Sequence, residues 1–226
     1  MTFDFLLALP VLLFSMVAHE YAHGYAALQQ GDPTAYNLGR LTFNPLKHID
    51  PWMSILLPAM LWFGSQGRFV FGGAKPVPVN PNNFRNFRRG DIIVSSAGIV
   101  ANLILLATCV LLAIGVGVLG QSLAGAAQGL GYVQRMFFWG IWLNALLAFF
   151  NLIPIPPLDG SHILYHFLPA HVAAKYRALS RYGILILLVA ILFMRDLFFV
   201  LLYPAFTVTR FALGLAAPFA LQPLPF

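Results

Sequence analysis

Apolar residues in this chain come in long runs separated by short polar stretches. They do not alternate as in a half-buried strand, nor form the narrow stripe of a soluble amphipathic helix. The runs over 2–29, 92–119, 132–153 and 183–202 are each long enough for a helix to cross a bilayer, which takes about 20 residues. The run over 52–63 is too short for that and is expected to be re-entrant or interfacial. Residues 204–217 are expected to add a partial last span, and Arg195-Asp196 to interrupt the one before it. Gly and Pro punctuate the ends, as in Gln30-Gly31-Asp32-Pro33 and Pro154-Ile155-Pro156-Pro157. The expected fold is an all-α polytopic membrane protein. It has about five to six transmembrane or re-entrant helices, a small extended or β loop region, and one domain over 1–226.

Composition agrees with that pattern. Hydrophobic residues make up 60% and charged residues 9%, and the mean hydropathy is +0.80, which excludes an ordinary soluble domain. The N-terminal run ends in His-Glu with no Lys or Arg before it, so it reads as a retained span and not as a signal peptide. The net charge of +6 sits in connecting segments and suits a membrane surface better than nucleic acid. Segments 34–50, 64–91 and 160–182 carry ten of the thirteen Lys and Arg. Placing them in the cytoplasm orients the chain. With one cysteine, Cys109, the chain has no internal disulfide and no thiolate zinc cluster.

The chemistry concentrates in the first run, at His19-Glu20-Tyr21-Ala22-His23. Ionisable groups at the centre of a membrane helix cost roughly 2.5–3.5 kcal/mol each, so a cluster of them is functional by default. His19 and His23 are one helical turn apart, so both rings project from one face and can ligate one Zn²⁺, with Glu20 beside them as a base. Glu20 is the chain's only Glu. A catalytic zinc takes three protein ligands. The candidates for the third are the six Asp with His48, His162, His166 and His171. Asp159 is the best placed, after a long apolar helix and between a proline break and Gly160; its other reading is a helix N-cap. Asp32, Asp50 and Asp91 are expected to be solvated beside turns and loops, and His162 with His166 to pack at the interface.

Two further features stay open at this level. Asn144 and Asn151 are seven apart on one helix face. They either bond across helices or, for Asn151, hold substrate or a developing oxyanion. Asn102 is expected to be structural. In Lys75-Pro76-Val77-Pro78-Val79 the prolines remove donors from one side. The segment is either a proline-stiffened loop or an edge strand whose Val77 and Val79 amides are open to pairing.

His19-Glu20-x-x-His23 together with Asn151-x-x-Pro154-x-Pro156-x-Leu158-Asp159-Gly160 resembles the site-2 protease family of intramembrane zinc metalloproteases. Gly98-Ile-Val-Ala-Asn102 resembles the family's Gly-Pro-x-x-Asn motif with Ile99 in place of Pro, and the 73–80 loop resembles that of its compact members. The resemblance covers residues 5–165, leaving 166–217 as C-terminal helices without a PDZ or regulatory domain. It implies one Zn²⁺ per chain held by His19, His23 and Asp159, Glu20 as catalytic acid/base, and Asn151 positioning substrate. The activity implied is peptide-bond hydrolysis in or near transmembrane segments of single-span membrane proteins. Val77 and Val79 are expected to pair with the unwound substrate. The expected location is a prokaryotic cell membrane, with the site toward the cytoplasm. The rival is a transporter or channel with buried His, Glu and Asp as an ion relay; no inverted repeat supports it.

Overall fold

The computed structural model describes residues 2–64 and 72–225. It is a helical bundle with no strand among those residues. Helix α1 spans Thr2–Gln30, α2 is the single turn Thr34–Asn37, and α3 is Leu57–Gly64, preceded by a π-helical turn at Pro51–Leu56. The long α4 (Phe87–Ser122) and α5 (Ala127–Asn151) follow. Then come the short α6 (Asp159–Tyr165) and α7 (Ala170–Ala178), and finally α8 (Gly183–Phe193) and α9 (Arg195–Ala216). Five helical stretches are long and apolar enough to cross a membrane: 6–30, 87–122, 127–151, 170–193 and 196–219. The chain is a multi-pass membrane protein.

Local chemistry sets the boundaries. Gly31 adopts a φ of +111° at the end of α1, and the Asp32 amide returns to the Ala27 carbonyl at 2.9 Å. This C-terminal cap favours glycine. Asn86 caps α4 by accepting from the Arg89 amide at 2.9 Å, and Asp50 caps the turn before α3 from the amides of Trp52 and Met53. As its length implied, the 52–63 region does not make a full span.

The C-terminal half departs from the sequence reading. The expected span over 183–202 breaks at Met194, before Arg195-Asp196, and Pro204 lies inside α9. The break puts the charged pair in the first turn of a helix instead of mid-span, which suits Asp196 at the positive end of the helix dipole. The stretch from α7 through α8 is long and apolar enough for one crossing, and the stretch over 196–219 for another.

Residue pairings show that α4 runs antiparallel to both α1 and α5, because His19 meets Asn102 while His23 meets Val94, and Asn102 meets Asn144 while Ala113 meets Gln134. Leu106, Val110, Ala113, Phe138, Ile141 and Ala145 pack with Ala212, Leu213 and Ala216 of α9. Small residues let these backbones approach. Large apolar side chains such as Leu111 and Phe211 stay about 70% exposed (71% and 70%), as expected of a lipid-facing surface.

The 72–84 segment is not the edge strand considered above. It is a loop fastened to α1 and its neighbours. Asp32, expected to be solvated, is fully buried. It accepts from the Thr34 amide and hydroxyl, the Asn80 amide at 2.7 Å and the Asn83 side chain at 2.8 Å. Arg40 donates to the carbonyls of Lys75 and Pro76, and the Arg85 amide donates to the Gln30 carbonyl. Residues 65–71, part of the polar segment, lie outside the described residues.

Burial pushes the Asp32 carboxyl up, but the hydrogen bonds from Thr34, Asn80 and Asn83 outweigh it and hold the group below its ordinary range. A carboxyl lowered in this way stabilises the fold above its unfolded pKa and loses that contribution as pH falls through the folded one. Asp32→Ala is expected to lower stability by about 1–3 kcal/mol, since it strands buried donors. The difference between wild type and Asp32→Asn is expected to begin shrinking below about pH 4 and to go on shrinking as pH falls through the lowered folded value, measured by thermal melting in detergent.

Candidate metal centre

Two adjacent faces of α1 carry separate parts of the site. His19 and His23 face α4, and Glu20 with Gly24 faces the 72–84 loop. The third member, Asp159, opens α6 after the proline break. Asp159 Oδ2 lies 3.2 Å from His19 Nε2 and 3.3 Å from His23 Nε2, and the two Nε2 atoms are 2.9 Å apart. The three side chains offer one donor atom each within 4.8 Å of one another. The structure thus brings His19, His23 and Asp159 to one point. Seven residues separate His23 from the end of α1, so the centre sits roughly 10 Å in from that end at 1.5 Å per residue.

The outer ring nitrogens fix how the rings present themselves. His19 Nδ1–H donates to Asn102 Oδ1 at 2.6 Å, and His23 Nδ1–H donates to the Val94 carbonyl at 2.7 Å. Asn102 is held as an acceptor because its own amide donates to Asn144 Oδ1 at 2.9 Å. Asn144 in turn donates to Ser15 Oγ and to the Gly140 carbonyl. With both Nδ1 atoms committed to acceptors, each ring turns its other nitrogen, Nε2, toward its neighbour and toward Asp159. Asp159 Oδ2 is itself buried with no hydrogen-bond donor. Three potential ligand atoms this close in a buried site are suited to sharing one cation. The donor set, two imidazoles and a carboxylate, is that of a catalytic zinc site with an open position.

Gly98 makes room for this packing. A Cβ built there would lie 2.5 Å from His19 Nε2 and 2.6 Å from His23 Nε2. Together with Asn102 one turn on, it gives function to the Gly98-x-x-x-Asn102 pair; reading Asn102 as merely structural missed its bond to His19. The spacing of glycine and asparagine was the signal. The Val94 carbonyl, a backbone atom, left none.

Other residues singled out earlier lie elsewhere. Glu20 Oε2 accepts from the Val77 amide at 2.7 Å, so that donor, expected to be open to a substrate strand, is engaged within the chain. Val77 is buried, and Val79 packs beside Ala27, Phe84 and Val94. Asn151 donates to the Leu147 carbonyl of its own helix at 2.9 Å, while Asn144 is the one that bonds across helices. His48 Nε2–H donates locally to the Thr42 carbonyl at 2.9 Å, and His171 is exposed. Asp91, expected to be solvated, is buried and paired with His166.

A multi-pass bundle that gathers two histidines and an aspartate beside a glutamate has the layout of a membrane metallopeptidase. The chain belongs to peptidase family M50, the family of the site-2 proteases. The family model matches residues 115–194, a stretch that holds Asn144, Asn151 and Asp159 but not the histidine pair. The chain is 40% identical over 199 residues to the protein named "Putative zinc metalloprotease YwhC" of Bacillus subtilis, covering 88% of this chain and 85% of that one. It is 30% identical over 193 residues to "Putative zinc metalloprotease Rip2" of Mycolicibacterium smegmatis, covering 83% and 67% respectively. No solved structure matches the chain.

Gly98→Val is expected to abolish metal binding, because its side chain would occupy the space of both rings. Asn102→Ala is expected to weaken zinc affinity by about 10–100-fold through loss of the outer hydrogen bond. Both are checked by metal content and chelator competition on purified protein.

Proposed function

We propose that the chain is an intramembrane zinc endopeptidase that cleaves peptide bonds in or next to the transmembrane segments of single-span membrane proteins, as a step of regulated intramembrane proteolysis. The observation that carries this reading is the convergence of His19, His23 and Asp159 at one buried point, with Glu20 adjacent to His19 in the same helix. In this reading those three residues hold one Zn²⁺. When bound there, zinc supplies Lewis acidity to a water and to the scissile carbonyl.

The chain's own groups do the rest. Glu20 takes the proton from the attacking water and passes it to the leaving nitrogen. Its bond to the Val77 amide uses one carboxylate oxygen and fixes the plane of the group; proton transfer is assigned to the other oxygen. The apolar helices around the centre keep bulk water low, which strengthens every charge interaction there. A helical substrate has its carbonyls bonded internally and must unwind to be cut, since lipid offers no replacement partners. The basic connecting segments support placing this end of the bundle toward the cytoplasm.

An ion relay would string titratable groups across the bundle. Among the described residues His19, His23 and Asp159 instead converge on one point, with Glu20 next to His19 in α1, which favours hydrolysis. Glu20→Gln is expected to retain zinc at wild-type stoichiometry and to lose cleavage of a single-span substrate by about a hundredfold or more. The assay uses purified protein in detergent or vesicles. Cleavage that persists in the variant would overturn the reading.

A further inference from the structure

The proposed mechanism does not use a second cluster of ionisable groups, formed by Asp91, His162 and His166. Asp91 lies in the second turn of α4 and is 6% exposed, a costly place for a carboxylate in a membrane helix. His166 Nε2 meets Asp91 Oδ2 at 2.7 Å, and His162 Nδ1 meets Oδ1 at 3.5 Å. The His166 ring sits edge-on to Phe87 and Tyr165, and the Arg177 guanidinium lies over both of those rings. Such a cage holds the ring in one orientation.

This cluster lies on the element that supplies the third ligand. Helix α6 begins at Asp159, and His166 is its C-cap two turns later, on the same face of the helix. Anchoring His166 therefore sets the rotation and height of the helix that aims Asp159. The near end of α6 is held too: Gly160 packs directly on the Leu152 carbonyl, and Ser161 Oγ donates to the Leu158 carbonyl at 2.7 Å.

The α4 end of the anchor is also shared. Asp91, Val94, Gly98 and Asn102 are spaced three, four and four residues apart, one continuous face of α4. Asn102 orients His19, Val94 orients His23, and Gly98 seats both rings. Asp91 completes the row.

We propose that Asp91 and His166 are positioning residues that set the metal-ligating carboxylate of Asp159 from the same face of α4 that orients the two histidines. This rests on the zinc-site reading above. The cluster is not itself a second metal site: among the described residues, only His19, His23 and Asp159 bring three donors within 4.8 Å. His162, half-exposed and farther from the carboxylate, makes the weaker contact.

The test is metal binding by the full chain in detergent. Zinc affinity comes from chelator competition, and the visible spectrum is taken with cobalt in place of zinc. Asp91→Asn and His166→Ala are each expected to weaken zinc binding by about 10–100-fold and to shift the cobalt spectrum. His166→Gln, whose amide can still donate to Asp91, is expected to recover most of the affinity, and His162→Ala to stay within about threefold of wild type. Wild-type affinity and spectrum in both Asp91→Asn and His166→Ala would overturn the proposal. So would equal losses in His166→Ala and His166→Gln, which would mark a packing defect; the His166 pair decides the matter if Asp91→Asn does not fold. Asp159→Asn separates the two levels: zinc binding undiminished in that variant overturns the zinc-site reading itself.

Discussion

The site depends on a constraint on two nitrogen atoms. His19 and His23 can present lone pairs to a common point only if their outer nitrogens have acceptors, and both acceptors belong to α4. Acceptors are scarce in a membrane helix, because backbone carbonyls are already used within it. The fold supplies one by letting the Val94 carbonyl accept a second bond. It supplies the other with an asparagine whose amide end is committed to Asn144. The row Ser15, Asn144, Asn102, His19 is therefore a chain of dipoles with one consistent sense. Reversing any member would leave a buried group without its partner.

Most of the architecture could be read from the amino-acid sequence because lipid imposes a coarse rule: runs of about 20 apolar residues become helices. The first span, the long pair α4 and α5, and the shortness of the 52–63 segment follow from it. The rule misplaced the last two crossings, where hydropathy runs on through residue 202 and a charged pair marks the turn. Arg195-Asp196, expected to interrupt a single span, instead start the next helix.

The convergence of His19, His23 and Asp159 was also anticipated, because helical periodicity fixes the first two and the proline break at 154–157 frees the third to turn inward. What sequence could not supply was pairing between distant elements. Asp32 and Asp91 look like surface carboxylates in their local contexts, yet each is buried by partners 48 and 75 residues away. Asn102 looked structural because its partner lies on another helix, 83 residues earlier in the chain.

The Pro76-Val77-Pro78 stretch shows how a short sequence can fix alignment. Among these three residues only Val77 has an N–H, and Glu20 takes it. Sliding the segment one residue in either direction would bring a proline nitrogen to the carboxylate and lose the bond. The loop therefore fits α1 like a key with a single tooth, and slipping by one position is penalised without any bulky side chain to block it.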